Sequence, residues 1–256
     1  MDDTRRAIDL NADLGEGFGR WTLGPDDELL EVITSANVAC GFHAGDPTII
    51  RRVCAVAAQR GVRVGAQVSY RDLAGFGRRS MDVPSLELRD EVLYQLAALD
   101  GICRVVGTSV SYVKPHGALY NRCFSDAAQA SAVVAAVVEF NPALSLLGQP
   151  GSALHRAGAE VGLRTVNEAF ADRAYAADGS LVPRTQSGSV IHASDEVVHR
   201  VLQLATGGTI AAVDGSVLEL DAASVCIHSD TPGAADLARS IRRGLHAAGI
   251  STAPFV

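Results

Sequence analysis

The chain has 256 residues, 48% hydrophobic and 20% charged, which is enough apolar content for one large core and a length that a single α/β barrel commonly takes. Its net charge of −7, with 22 basic residues scattered along the chain, argues against a nucleic-acid partner, because phosphate binding draws on clustered Lys and Arg. The opening Met1-Asp2-Asp3-Thr4-Arg5-Arg6 leads into no signal-peptide core, and no apolar run is long enough for a bilayer, so a soluble cytoplasmic protein without a membrane partner is expected.

No linker-like stretch, charge run or fixed-period repeat interrupts the sequence, so residues 1–256 read as one domain. The five cysteines, Cys40, Cys54, Cys103, Cys123 and Cys226, are widely spaced with no CxxC pair, which suggests neither a disulfide framework nor a zinc site. Cys54 and Cys103 lie on apolar helical faces and read as core residues, whereas Cys40 and Cys226 stand at strand ends.

Along the chain, short β-branched or apolar runs alternate with longer helical patterns, the signature of βα units around a parallel sheet. Strands are predicted over 8–12, 36–40, 62–68, 111–113, 144–148, 165–170 and 224–228, giving about seven units. Val92, Leu96, Leu99, Cys103 and Val106 recur at helical spacing, and so do Ala234, Ala238, Ile241 and Leu245. Asp46-Pro47 and Thr231-Pro232 each read as a capping residue followed by a first-turn proline. These marks put the polar residues that precede the helices just past the strand C-termini, the catalytic face of a closed barrel.

The strand ends carry Asn11, Asp13 and Glu16, then Asn37 and His43, Gln67, Lys114 and His116, Glu168, Asp172 and Arg173, and finally His228 and Asp230. Carboxylates, imidazoles and cations gathered in one pocket tune one another's pKa values for proton transfer. Plainer readings stand beside this one. Asp46 is a helix cap, Asp230 belongs either to a cap or to the site, and Asp9 meets a backbone group or an Arg within the first strand. Most histidines do no chemistry; His43, His116 and His228 follow strands, while His155, His192, His199 and His246 receive no role.

Two segments, Gly15-Glu16-Gly17-Phe18-Gly19-Arg20-Trp21 and Gly75-Phe76-Gly77-Arg78-Arg79, place Arg after closely spaced glycines, either to meet an anion or as solvated loops. Neither matches GxxxxGK[ST] or the full GxGxxG turn, so an ATP site here is unconventional. No GxSxG elbow supports a serine hydrolase. Asp13 and His43, with His116 or His228, offer metal ligands, but no HxxxH or HExxH spacing sharpens that reading.

Longer motifs carry a resemblance. Asp9-Leu10-Asn11-Ala12-Asp13-Leu14-Gly15-Glu16, Ser35-Ala36-Asn37 through His43 to Pro47, Asp72 through Arg79, Val113-Lys114-Pro115-His116 through Asn121, Glu168 through Tyr175 and Cys226-Ile227-His228 through Gly233 together resemble the LamB/YcsF family from Ile8 to about Leu245. The resemblance implies a distorted seven-stranded βα barrel, TIM-like and of the glycoside hydrolase and deacetylase type. It implies the A component of an ATP-dependent 5-oxoprolinase, which opens 5-oxoproline to glutamate with subunits B and C, ATP entering with Mg. On it, Asp13, His43, Lys114, His116 and Asp230 are the expected catalytic residues, with Lys114 and Arg79 near phosphate and Arg20 or Arg173 gripping carboxylate. Asn11, Glu16, Asn37, Gln67, Glu168 and His228 complete the expected substrate-binding set, and no metal ligands are assigned.

Two positions depart from the family pattern. Gly65-Ala66-Gln67-Val68-Ser69-Tyr70-Arg71-Asp72 has Gln67 where the family usually has His, so an amide that shuttles no proton replaces an imidazole, and reduced or altered activity is expected. Ser229 replaces a Gly. The competing readings are a metal-dependent deacetylase or carbohydrate hydrolase of the same barrel type, and a subunit that binds ligand without catalysis. A homo-oligomer stays open.

Overall fold

In the first strand, β1 (Ala7–Leu14), apolar and polar residues alternate, and the two sets go to opposite sides of the sheet. Ile8, Leu10, Ala12 and Leu14 join the hydrophobic core beneath the helices. Asp9, Asn11 and Asp13 meet side chains from neighbouring strands instead. That alternation puts the polar residues inside a closed sheet and the apolar core between the sheet and its helices.

The chain is described by a computed structural model covering residues 7–256, so the reading of residues 1–6 lies outside the described residues. After β1 come α1 (Asp26–Leu29), β2 (Ser35–Ala39), α2 (Pro47–Arg60), β3 (Arg63–Val68), α3 (Ser85–Val105) and β4 (Val110–Pro115). Then follow α4 (Gly117–Ser125), α5 (Ala127–Phe140), β5 (Ser145–Gly148), α6 (Ala153–Glu160), β6 (Thr165–Phe170) and α7 (Ser194–Gly207). A short antiparallel hairpin, β7 (Thr209–Ala211) and β8 (Val217–Glu219), precedes β9 (Ser224–Ile227), α8 (Ala234–Ala247) and β10 (Ser251–Thr252).

The parallel strands run β1-β2-β3-β4-β5-β6-β9, and β9 pairs back onto β1 to close a seven-stranded barrel. The two-residue β10 lies beside the start of β1 and extends the sheet there. All seven predicted strands are present with ends shifted by at most two residues; the hairpin and β10 are additional. The barrel is uneven, since β4 and β5 share only two paired positions and β3 slips register against β4 between Val64 and Gly65. At Gly65 a Cβ would come within 2.1 Å of the Tyr112 ring, so glycine there makes room for an aromatic inside the barrel. Below it, Phe255 packs against Tyr112 with ring centroids 4.9 Å apart.

The apolar stripe Val92, Leu96, Leu99 and Cys103 forms the buried face of α3, and Ala234, Ala238, Ile241 and Leu245 form that of α8. Cys54 and Cys103 meet where α2 packs on α3, with sulfurs 3.7 Å apart, and both are free thiols. Asp46 caps α2 by accepting from Thr48 N and Ile49 N at 2.8 and 3.0 Å. The other expected cap is displaced. Helix α8 begins at Ala234 after Gly233 in the left-handed region (φ 78°), and the Thr231 hydroxyl donates to Asp172. Among the described residues no single helix is long and apolar enough to cross a membrane.

Asp9 lies low in the barrel and accepts from three hydroxyls, those of Thr34, Ser35 and Ser224, in place of the backbone group or Arg expected for it. Burial outweighs those donors and pushes its carboxyl from the ordinary 3.8 up to about 6. The native state therefore holds this proton more tightly than the unfolded chain. The linked stability is complete below the unfolded value and is lost as pH rises through the native one. Denaturant titrations should show wild type losing roughly 3 kcal/mol relative to Asp9→Asn between about pH 4 and 7. A difference that does not vary with pH would contradict the assignment.

Candidate active site

The Lys114 ammonium stands at the centre of the polar groups near the strand C-termini. It lies 2.6 Å from Glu168 Oε1 and 3.4 Å from Asp13 Oδ1, and it donates to Asn11 Oδ1 at 3.3 Å. Cys226 Sγ is 3.2 Å away. Burial opposes the charge on Lys114, but Asp13 and Glu168 overcome it and hold its pKa well above the ordinary value. Asp13 is likewise buried, yet Lys114, His228 and the Asn37 amide keep its carboxyl below the usual range. Donors finish the arrangement: Asn37 Nδ2 reaches Asn11 Oδ1 and Asp13 Oδ1 at 2.7 and 2.8 Å, Asn11 Nδ2 reaches Glu168 Oε1 at 3.0 Å, and the Tyr120 hydroxyl reaches Glu168 Oε2 at 2.9 Å.

Beside this lattice, Glu16 organises a second group. Gln67 Nε2 donates to Glu16 Oε1 at 3.2 Å, and the Ser229 hydroxyl donates to Glu16 Oε2 at 3.3 Å. The other end of the Gln67 amide, its oxygen, faces His43 Nε2 at 3.2 Å, so that ring nitrogen carries a proton. His116 Nε2 is 3.5 Å from Glu16 Oε1, and its ring stacks on His43 with centroids 4.0 Å apart and planes 18° apart. Burial, reinforced by His43 and Arg78, drives the His116 pKa well below its ordinary value, so the imidazole is neutral. A third pair stands opposite. His228 Nδ1 lies 2.7 Å from Asp172 Oδ1, and Thr231 also donates to Asp172, whose carboxyl stays low despite burial because His228 faces it.

Two groups of residues bring metal-type ligand atoms within 4.8 Å of one another: Glu16 with His43 and His116, and Asp13 with Cys226 and His228. In the first, the Glu16 oxygens are already engaged by Gln67 and Ser229, and His43 faces the Gln67 amide. In the second, Asp13 and Cys226 are already engaged by Lys114.

A cavity of about 450 Å³ opens above these groups, and Asp13, Glu16, Lys114, His116, Arg173, His228 and Asp230 all line it. Asn11, Asn37, His43, Gln67 and Glu168 are fully buried, do not line the cavity and hold the groups that do. Arg20 and Arg79 lie outside the cavity. Arg20 is exposed beside the Phe18–Trp21 bridge and does not line the cavity. Arg79 bonds Asp72 with its side chain 66% exposed, away from the cavity, because the tight Gly75–Gly77 turn sends successive side chains to different sides. Its neighbour Arg78 reaches the cavity instead and pairs with Asp230.

Several main-chain amides of the glycine segments already have partners. Gly19 N is taken by Asp46, Gly75 N and Gly77 N by Asp72, and Phe18 N by Trp21. Sequence reasoning missed Arg78, Tyr120, Phe170 and Arg184 in the lining. Arg78 and Tyr120 stand inside motifs already singled out, whereas Arg184 lies in an irregular segment with no periodic or spacing signal.

The fold and site together define a parallel βα-barrel protein whose polar pocket sits at the C-terminal mouth of the strands. The chain belongs to the LamB/YcsF family, which it matches over residues 8–256. It is 61% identical over 248 residues to the 5-oxoprolinase A component of Streptomyces coelicolor, covering 97% of this chain and 99% of that protein. The crystal structure of a lactam utilization protein from Thermus thermophilus aligns with a TM-score of 0.92 at 40% identity, over 97% of this chain and 100% of that one. The catalytic domain of a peptidoglycan N-acetylglucosamine deacetylase from Eubacterium rectale shares the fold alone, with a TM-score of 0.52 at 14% identity over 100% of this chain and 91% of that one.

Replacing Lys114 by Met leaves Glu168 and Asp13 buried without their cation, which should cost about 3–5 kcal/mol and lower the melting temperature by roughly 10 °C. Adding Glu168→Gln should recover part of that loss, because fewer buried charges are then unpaired. Calorimetry of both variants checks this; a Lys114→Met melt equal to wild type would contradict the ion-pair assignment.

Proposed function

We propose that this chain is the A component of an ATP-dependent 5-oxoprolinase, working as one barrel domain in the cytoplasm with subunits B and C to open 5-oxoproline to glutamate. The observation that carries this reading is the full-length likeness to a protein named as that component of 5-oxoprolinase. The geometry supports it.

A five-membered lactam resists water because its nitrogen shares electrons with the carbonyl. Transfer of the γ-phosphoryl group of ATP to the lactam oxygen removes that protection, with magnesium entering as part of the nucleotide substrate. Water then adds at the ring carbon, the C–N bond breaks as nitrogen takes a proton to leave an open-chain acyl phosphate, and a second water hydrolyses that to glutamate and inorganic phosphate. Such chemistry needs a cation beside the oxygen, a proton acceptor near the water and a proton donor near the nitrogen. Lys114, ionised at the cavity floor, supplies the cation. Neutral His116 with Glu16 serves as acceptor, and His228, held by Asp172, serves the leaving nitrogen. ATP fits the guanidinium-rich mouth by charge.

Reconstitution tests the reading. The chain mixed with subunits B and C should release phosphate and glutamate in a 5-oxoproline-dependent manner, and neither should appear when this chain is left out. Absence of turnover in the complete mixture would contradict it.

A further inference from the structure

The outer half of the cavity carries an electrical imbalance. Three guanidinium groups reach it: Arg78 from the loop after β3, and Arg173 and Arg184 from the segment after β6. Among the described residues, one carboxylate at the mouth answers them. Asp230, after β9, pairs with Arg78 and lies 3.8 Å from Arg184 Nη1. Arg173 makes its hydrogen bonds to main-chain oxygens, Ser189 O at 3.2 Å and Val182 O at 2.6 Å. The other carboxylates are committed: Asp13 to Lys114, Glu16 to Gln67 and Ser229, and Asp172 to His228.

Like charges crowded around one counter-ion are held at a cost that an arriving anion would relieve. The Asp230 pairs are placed where exchange is feasible, since the side chains of Arg78, Arg184 and Asp230 are 41%, 29% and 18% exposed. Arg184 lies in a turn of its segment between Val182, whose N donates to Ala174 O at 3.0 Å, and Ser189, whose O accepts from Ala174 N at 3.0 Å. The ends of that turn are therefore fixed, and the turn meets the opposite rim through the contact of Arg184 with Asp230.

We infer that Arg78 and Arg184 form an oxyanion-binding subsite at the cavity mouth, in which Asp230 is the resident counter-ion that a ligand's carboxylate or phosphoryl group displaces. The inference rests on the proposed function for the identity of that ligand. Guanidinium forks suit both groups, because each presents paired oxygens to paired N–H donors. Asp230 is then a positioning residue and not a proton carrier. The polarity of the cavity also orients a small acid, with its charge at the mouth and its neutral end towards Lys114.

Calorimetric titration of the full chain tests this with four probes: 5-oxoproline, 2-pyrrolidinone (the same ring without the carboxylate), ATP and inorganic phosphate. Arg184→Ala should weaken the anion that uses the subsite by about tenfold or more, and Arg184→Lys should retain part of the affinity. Asp230→Asn should tighten the same anion by removing its competitor, the opposite sign from a merely structural loss. Binding of 2-pyrrolidinone should respond to none of them. A response confined to 5-oxoproline assigns the subsite to a carboxylate, and one confined to ATP and phosphate assigns it to a phosphoryl group. If phosphate binding depends on Arg184 while 5-oxoproline does not bind at all, the subsite stands and the ring-opening reading falls. Unchanged anion affinities in Arg184→Ala, weakening in Asp230→Asn, or no anion binding to the wild-type chain would each overturn the inference.

Discussion

One ammonium inside a ring of parallel strands, shared between carboxylates from β1 and β6, is the constraint on which the rest of the site depends. Lys114 arrives on β4, Asp13 on β1 and Glu168 on β6, so the three meet only if the barrel is closed. Their mutual attraction is strong because water is excluded, and for the same reason each charge alone would be intolerable. Amide and hydroxyl donors from Asn11, Asn37 and Tyr120 use the remaining lone pairs and fix the carboxylate orientations. Closure of the sheet and assembly of the site are thus one event. A barrel of this kind carries its polar residues inside and its apolar core outside, between strands and helices.

The strands were legible because alternation writes itself into residues such as Asp9, Asn11 and Asp13 between Ile8, Leu10, Ala12 and Leu14. Helices α3 and α8 were legible from apolar spacing. The hairpin β7–β8 and strand β10 were not, since segments of two or three residues hold no period to count. For the site, position just past a strand end identified Asp13, Lys114, His116 and His228 because barrel geometry alone brings such positions together. Arg78 and Arg184 escaped that logic, unlike Arg173. Which of Arg78 and Arg79 turns inward is settled by local turn geometry around Phe76 (φ 55°) and Gly77 (φ 65°), and Arg184 reaches the cavity only through the tertiary path of an irregular segment.

The two departures from the family pattern meet at one carboxylate. Gln67 and Ser229 both donate to Glu16, and Gln67 also faces His43. An amide cannot pass a proton from His43 to Glu16, but it can hold both in register. His116 lines the cavity, while the fully buried His43 stacks against its ring. The Thr231 hydroxyl, expected to cap a helix, instead steadies Asp172 behind His228.

A crystal structure of the chain with 5-oxoproline addresses the central claim most directly. The lactam should occupy the cavity above the strand C-termini, its ring oxygen towards the Lys114 ammonium and its carboxylate towards the arginines of the mouth. A lactam bound outside that cavity, or one seated in it with Lys114 turned away from the ring, would contradict the ammonium-centred site.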